Sequence, residues 1–198
     1  MVNEGRSVET DGNGVLMACK SSVISQKKGA TRNKGITQQE AEEMFETYYG
    51  ASKVIWLDGV TGLDVTDMHI DGFMKFTNHN TMITMNEDDL LELGLSDKDI
   101  NTLYTASNVD GKEYKKVYLP ATKNKVKTAY GKQLDEKGSY VNYYVANTVV
   151  LVPNYGDPND QIANKIIQDQ YPGRKVIGID VRNPVSYTHL TLPTKRIV

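Results

Sequence analysis

Apolar residues in this chain fall in short clusters, each set off by turn chemistry and each followed by a stretch with helical period. The turn-rich Thr10-Asp11-Gly12-Asn13-Gly14 leads into Val15-Leu16-Met17-Ala18, and a second short apolar piece, Val23-Ile24, follows. Thr37-Gln38-Gln39-Glu40 has the form of a capping box, with a hydroxyl for the orphan amides and a carboxylate three residues on. It predicts a helix over 38–49 with Ala41, Met44, Phe45 and Tyr48 on one face, stopped by Gly50. Val54-Ile55-Trp56-Leu57 then reads as a buried strand.

The order recurs twice. Phe73 to Phe76 and Thr81 to Met85 make a hairpin about Asn78-His79-Asn80, helices are predicted over 88–93 and 97–106, the latter with Ser96 as cap, and Val117-Tyr118-Leu119 closes the unit ahead of Pro120. In the third unit, strands are predicted over 141–145 and 149–152, with Asn142 and Tyr144 on one face. Asp157-Pro158-Asn159-Asp160 reads as a helix start with a capping acid and proline at the first position. Ile162, Ile166 and Ile167 are its apolar face, and Val176 to Ile179 is the closing strand. Strand, strand, helix, strand, three times over, with a period of roughly 45 to 55 residues, points to a propeller or array. Residues 121–138 are Lys-rich without apolar period and read as a solvated loop or as a loop over a site.

Composition narrows the classes. The 198 residues hold 23 basic and 25 acidic side chains, a net charge of −2, which argues against a basic nucleic-acid binder. No apolar run approaches the roughly 20 residues of a membrane span, so no membrane role is expected. A single cysteine, Cys19, excludes an internal disulfide framework and a Cys-rich zinc site. Met1-Val2-Asn3-Glu4 lacks a basic region followed by an apolar one, so no signal peptide is read and a cytoplasmic location is expected. Ser186-Tyr187-Thr188-His189-Leu190-Thr191-Leu192 has neither cap nor period and looks like translated adapter sequence. The expected organisation is therefore a domain over 1–184 and a non-native tail over 185–198.

Chemistry concentrates in Gly62-Leu63-Asp64-Val65-Thr66-Asp67-Met68-His69-Ile70-Asp71-Gly72. His69 and Asp71, two apart, share a face if they begin a strand. A carboxylate beside an imidazole suits general acid/base work. Asp64, Asp67 and Asp71 together suit a cationic ligand or a metal. The spacing alone leaves three readings open: a structurally satisfied His, a catalytic one, or a metal ligand, with a single imidazole weighing against zinc. Cys19 reads as a small strand residue, since nothing near it in sequence supplies a base.

Several blocks resemble one family. Thr66-Asp67-Met68-His69-Ile70-Asp71-Gly72 is similar to the T-D-G-H-I-D-N motif of agmatine deiminases and to the H-I-D of bacterial peptidylarginine deiminases. Ser139 to Asn147, Val152 to Asp160 and Pro172 to Asp180 resemble the S-Y-A-N-F-Y-I-A-N, V-P-x-Y-G-D-P-x-D and P-G-R-x-V-x-G-I-D blocks of the same family. Glu4-Gly5-Arg6 and Asp11-Gly12-Asn13-Gly14 resemble E-G-G and D-G-x-G. The resemblance implies the pentein fold, an α/β propeller of five ββαβ blades, of which about three are read here, so that the chain would be truncated at both ends. It also implies a hydrolase cleaving the C–N bond of a linear amidine. The expected reaction is agmatine to N-carbamoylputrescine and ammonia, a step toward putrescine and polyamines, through a covalent thiouronium on a cysteine. Peptidyl arginine is the alternative substrate, and a non-catalytic cation-binding fragment the alternative role.

Carried over residue by residue, His69 is the general acid/base, Asp71 a guanidinium-holding carboxylate, and Glu4 the acid beside the catalytic His. Asn142 and Asp67 are substrate-lining. The resemblance implies no metal and no cofactor; the partner is a small guanidine, and a homo-oligomer is compatible with it. The family nucleophile, in a Gly-rich segment ending in His-Cys after the P-G-R block, has no counterpart here, nor has the R-D carboxylate ahead of E-G-G. Cys19 matches neither, so the chain as it stands is expected to be inactive. Met68, Gly72 and Arg6 depart from the family's Gly, Asn and Gly.

Overall fold

Three of the apolar clusters become the middle strands of small three-stranded sheets, and the clusters that close each unit become their parallel outer strands. The computed structural model describes residues 1–24, 32–64 and 66–182; Val65 and the tail 185–198 lie outside them. β2 (Val15–Cys19) lies between β1 (Val8–Thr10), antiparallel, and β3 (Lys53–Leu57), parallel. β5 (Thr81–Met85) sits the same way between β4 (Met74–Asn78) and β6 (Lys115–Leu119), and β8 (Val149–Asn154) between β7 (Tyr144–Val145) and β9 (Lys175–Asp180). An antiparallel pair closes through a short turn, whereas the parallel partner needs a crossover, which the helices supply. The result is three ββαβ units, as the periodicity predicts.

β2 is buried along its whole length. A strand covered on both faces reads as an apolar run rather than an alternation, which is why Val15 to Ala18 stood out. The main core runs through all three units and is rich in methionine, with Met17, Met68, Met74, Met82 and Met85 fully buried. Flexible thioethers fill the irregular space where small sheets meet at angles. A second cluster of Leu16, Ala18, Val23, Phe45 and Ala51 forms the other side of β2.

The helix α2 (Gln38–Tyr49) carries the expected capping box: the Glu40 amide donates to Thr37 Oγ1 at 3.1 Å and the Thr37 amide donates to Glu40 Oε2 at 2.7 Å. Gly50 ends it at φ 68°, a conformation that needs no β-carbon. Of the predicted face, Ala41 and Phe45 are buried, with the Phe45 ring 5.7 Å from Trp56. Tyr48 stands 78% exposed instead, because Tyr49 packs edge-on against Phe45 and closes the rim of this cluster. The unit-two helices, α3 (Glu87–Glu92) and α4 (Asp97–Tyr104), begin at side-chain caps, Asn86 and Ser96.

Three expectations are corrected. The hairpin partner of β2 precedes the 10–14 turn instead of following it, and Val23 ends the short helix α1 (Lys20–Val23). Asp11 Oδ1 accepts from the amides of Asn13 and Val15 and fixes that turn. The strand predicted over 141–145 shrinks to Tyr144–Val145, because the Tyr143 amide donates to Val141 O at 2.8 Å, a tight turn that breaks the alternation. The last helix, α5, spans Asp160–Gln170 and lies after Asp157. Asp157 instead accepts from the amides of Asn159, Lys123 and Asn124, so it ties the Lys-rich loop to the start of α5. On α5 the buried stripe is Ala163 and Ile167, and Ile162 is 51% exposed.

Loss of the α2 cap has a defined size. Thr37→Ala should lower stability by about 1 kcal/mol and Thr37→Ser by much less, read as a shift of the urea midpoint at unchanged slope.

Candidate functional site

The corner between β3 and β4 is built from backbone that ordinary residues avoid. Asp67 and Met68 are consecutive and both at positive φ, 58° and 69°. Such residues cost of the order of 1–3 kcal/mol each unless their surroundings hold them. Here the holding is explicit. Asp64 Oδ1 accepts from the Thr66 amide at 2.7 Å and the Met68 amide at 3.2 Å. Asp67 Oδ1 accepts from the Gly62 amide at 2.7 Å, and the Ser21 hydroxyl donates to Asp67 O at 2.6 Å. The Met68 side chain is sealed in the core.

This corner delivers His69 in extended conformation at the head of a 3₁₀ turn, Ile70–Gly72. His69 and Asp71 therefore do not begin a strand, and the expectation that they share a face as a dyad is corrected. A single helical turn sends them to different partners. His69 Nε2 lies 2.9 Å from Glu4 Oε2, and Asp71 Oδ2 lies 3.6 Å from Arg6 Nε. Glu4 and Arg6 belong to one turn, in which the Ser7 amide donates to Glu4 O at 3.1 Å. The N-terminal segment and the 66–72 segment thus meet, as the family resemblance implies for Glu4 and His69.

A residue that the sequence did not single out connects the carboxylates. Arg32 puts Nε 2.8 Å from Glu4 Oε1 and Nη1 3.0 Å from Asp67 Oδ2, with only 13% of its side chain exposed. A planar guanidinium suits two carboxylates at once. Asp67 is buried, with both oxygens engaged, one by Arg32 and one by Gly62. Asn142 is half-buried and lines a cleft of about 430 Å³ with Leu63, Asp64, Phe73, Lys137 and Ser139. The Ser139 hydroxyl donates to Gly72 O at 2.9 Å, which fastens this third-unit segment to the His69 corner. The Lys-rich loop is exposed over most of its length, as a solvated loop is, and its end, at Asp135 to Lys137, reaches this cleft.

The charge states follow from these contacts. The Arg32 guanidinium holds the Glu4 carboxyl below its usual range. Burial works against the charged form of Asp64, but hydrogen bonds from Thr66 and Met68 outweigh it and leave that carboxyl low. Burial pulls His69 below its ordinary value, while the Glu4 carboxylate acts the other way. The ring is then neutral near pH 7, the state of a proton acceptor. Asp71 is the contrary case: burial raises it to about 7, opposed by Lys75 and Arg6 and reinforced by Glu9 and Asp64. Cys19 lies inside β2, and burial pushes its thiol up, far from a thiolate at neutral pH. Among the described residues no group of three His, Cys, Asp or Glu side chains is arranged to hold a metal.

Asp71 makes stability depend on pH. Its folded value of about 7 stands above the ordinary 3.8, so between them the native protein keeps a proton that the unfolded chain releases. Its contribution is full below the lower value and is lost as pH rises through the upper one. Going from pH 4.5 to 7.5, Asp71→Asn should lose less stability than the unsubstituted chain, as measured by urea midpoints. Equal losses would contradict the assignment.

Comparison with known proteins adds the lineage. The family model described as Porphyromonas-type peptidyl-arginine deiminase matches residues 1–188. A Latilactobacillus sakei protein that carries the provisional name agmatine deiminase is 29% identical over 198 residues, 92% of this chain and 53% of its own length. The solved C. jejuni C315S agmatine deiminase, described as having substrate bound, superposes with a TM-score of 0.70 at 25% identity over 90% of this chain and 50% of its own. A Porphyromonas gingivalis structure, provisionally named an arginine deiminase, gives 0.73 at 28% identity over 89% and 51%. The chain spans about half the length of the curated relatives it matches. The three units are blades of the pentein propeller of these neighbours. With a family model matched along nearly its whole length and the fold of that family in its sheets, the chain belongs to the Porphyromonas-type peptidyl-arginine deiminase family.

Proposed function

We propose that this chain is part of a hydrolase that deiminates a guanidine, with agmatine as substrate. The observation that carries the reading is one corner in which a neutral imidazole, His69, faces a carboxylate, Glu4, beside a buried acid, Asp71, already in contact with a guanidinium. A guanidinium is a planar delocalised cation, and a carboxylate holds it through charge-assisted hydrogen bonds. In this reading Asp71 takes the substrate cation and Asn142 lines its approach. Neutral His69 receives the proton of the attacking thiol and passes it to the departing ammonia. It then takes a proton from a water whose oxygen adds to the thiouronium carbon, and returns that proton to the sulfur as the carbon–sulfur bond breaks and the ureido product leaves. Glu4 orients the ring and stabilises its charged form. Asp67 contributes by holding Arg32, which keeps Glu4 ionised and in place.

The nucleophile of this proposal is not Cys19, whose thiol is buried and protonated. It belongs to the His-Cys segment that the family resemblance puts beyond the Pro172-Gly173-Arg174 block. The names of the curated relatives support agmatine as substrate. The description of the matched family model supports a second substrate, peptidyl arginine.

The chain should bind agmatine in a calorimetric titration without releasing ammonia, and Asp71→Asn should weaken that binding about tenfold or more, the loss of one charge-assisted contact. Undiminished binding by Asp71→Asn would overturn the assignment. In the protein completed from the downstream gene sequence, ammonia release from agmatine should appear, and Glu4→Gln should lower kcat by roughly a hundredfold. Release from a peptidyl arginine alone would favour the second substrate.

A further inference from the structure

The segment from Gly138 to Tyr143 is bound to its surroundings along nearly its whole length. The Gly138 amide donates to Thr122 Oγ1 at 2.8 Å, and the Thr122 amide donates to Gly138 O at 2.9 Å. The Tyr155 ring lies so close to Gly138 that a β-carbon there would stand 2.6 Å from it, and the Tyr155 hydroxyl donates to Ser139 O at 2.9 Å. The Tyr140 hydroxyl donates to Asp160 Oδ1 at 2.7 Å, and the Tyr143 and Tyr171 hydroxyls are 3.0 Å apart. Asn142 is the exception. It is the central residue of the three-residue turn closed by the Tyr143 amide and Val141 O, and among the described residues its side-chain amide has no hydrogen-bond partner. Asn142 instead lines the cleft of about 430 Å³, together with Gly72 and Ser139.

One oxygen fixes where that turn stands. Ser139 Oγ donates its single proton to Gly72 O at 2.9 Å and accepts from the Val141 amide at 3.2 Å. The first bond reaches the last residue of the Ile70–Gly72 turn, which carries Asp71. The second holds the residue that begins the Asn142 turn. A hydroxyl makes both bonds at once, and an alanine makes neither. The distance between Asn142 and the Ile70–Gly72 turn is thereby set by one side chain. Such distances matter, since a misplacement of about 1 Å can cost of the order of a hundredfold in rate.

We infer that Ser139 is a positioning residue for the proposed reaction: its hydroxyl holds Asn142 against the Ile70–Gly72 turn, so that the Asn142 amide carbonyl accepts from an N–H of a guanidinium in the cleft. The inference rests on the functional reading above, in which Asn142 lines the substrate's approach. Ser139 needs no contact with the substrate, because its one proton is committed to Gly72 O. Tyr155 holds the same segment through Ser139 O and the Gly138 backbone, and so supports it without acting through the hydroxyl.

Calorimetric titration with agmatine tests this, with urea midpoints recording the stability of each variant. Asn142→Ala should bind about tenfold more weakly, the loss of one hydrogen bond to a charged group. Ser139→Ala should lose about as much, and Ser139→Thr, which keeps the hydroxyl, should stay within about threefold of the unsubstituted chain. Ser139→Ala combined with Asn142→Ala should bind about as weakly as Asn142→Ala alone, since the first residue acts through the second. Tyr155→Phe should shift the urea midpoint yet leave affinity within about twofold. Multiplied losses in the double variant, or a loss in Tyr155→Phe equal to that in Ser139→Ala, would show a general loosening of the segment and overturn the inference. So would full affinity in Ser139→Ala, or in Asn142→Ala while Asp71→Asn still loses binding, which leaves the functional reading standing. Where Ser139→Ala does not fold, Ser139→Cys, whose thiol is a weak donor, takes its place in the same comparison. Agmatine bound neither by the unsubstituted chain nor by any variant would overturn both.

Discussion

Two residues with side chains, Asp67 and Met68, are held side by side at positive φ, and the geometry of the corner depends on what holds them. Asp64 takes the amides on either side of Asp67, and Asp67 in turn takes the Gly62 amide with one oxygen and Arg32 with the other. Arg32 then reaches Glu4, and Glu4 faces His69. A backbone constraint in one segment is in this way converted into the placement of an imidazole against a carboxylate from a segment more than sixty residues away. Strain of this kind persists only where surrounding contacts over-determine it, and strained backbone is found preferentially at functional positions.

Charge satisfaction explains the division of labour among the acids. Buried carboxylates must be paired or hydrogen-bonded, or else protonated. Asp64 and Asp67 are met by several donors and serve as struts. Glu4 is held ionised by Arg32. Asp71 alone of this group is raised by burial, to about 7, with one loose arginine contact. A group left short of partners in an otherwise satisfied cluster is where a ligand gains most by binding.

The sequence carried the local part of this and not the rest. The capping box at Thr37 and Glu40, the glycine stop at Gly50 and the buried run of β2 were legible because each is a short-range signal with one physical meaning. β1 was missed because Val-Glu-Thr is too short and too polar to stand out, although its turn, fixed by Asp11, was read. Residues 141–145 alternate like a strand, but a turn at Val141 to Tyr143 buries Tyr140, Val141 and Tyr143 together, which alternation does not predict. At the site, the family resemblance brought Glu4 and His69 to one place, and spacing alone put Asp71 on the wrong element. Arg32 was invisible, since it lies in a polar Lys- and Gly-rich stretch and meets Asp67 across 35 positions. The departure at Arg6 was legible as a letter, but not its positive φ of 94° or its place 3.6 Å from Asp71.

The central claim is that the corner of Glu4, His69 and Asp71 receives a guanidinium, and a structure of the chain crystallised with agmatine tests it most directly. The account predicts the guanidinium in hydrogen-bond contact with Asp71 and His69 still paired with Glu4. Agmatine bound against other acids, such as Glu92 or Asp58, and away from Asp71 would contradict it.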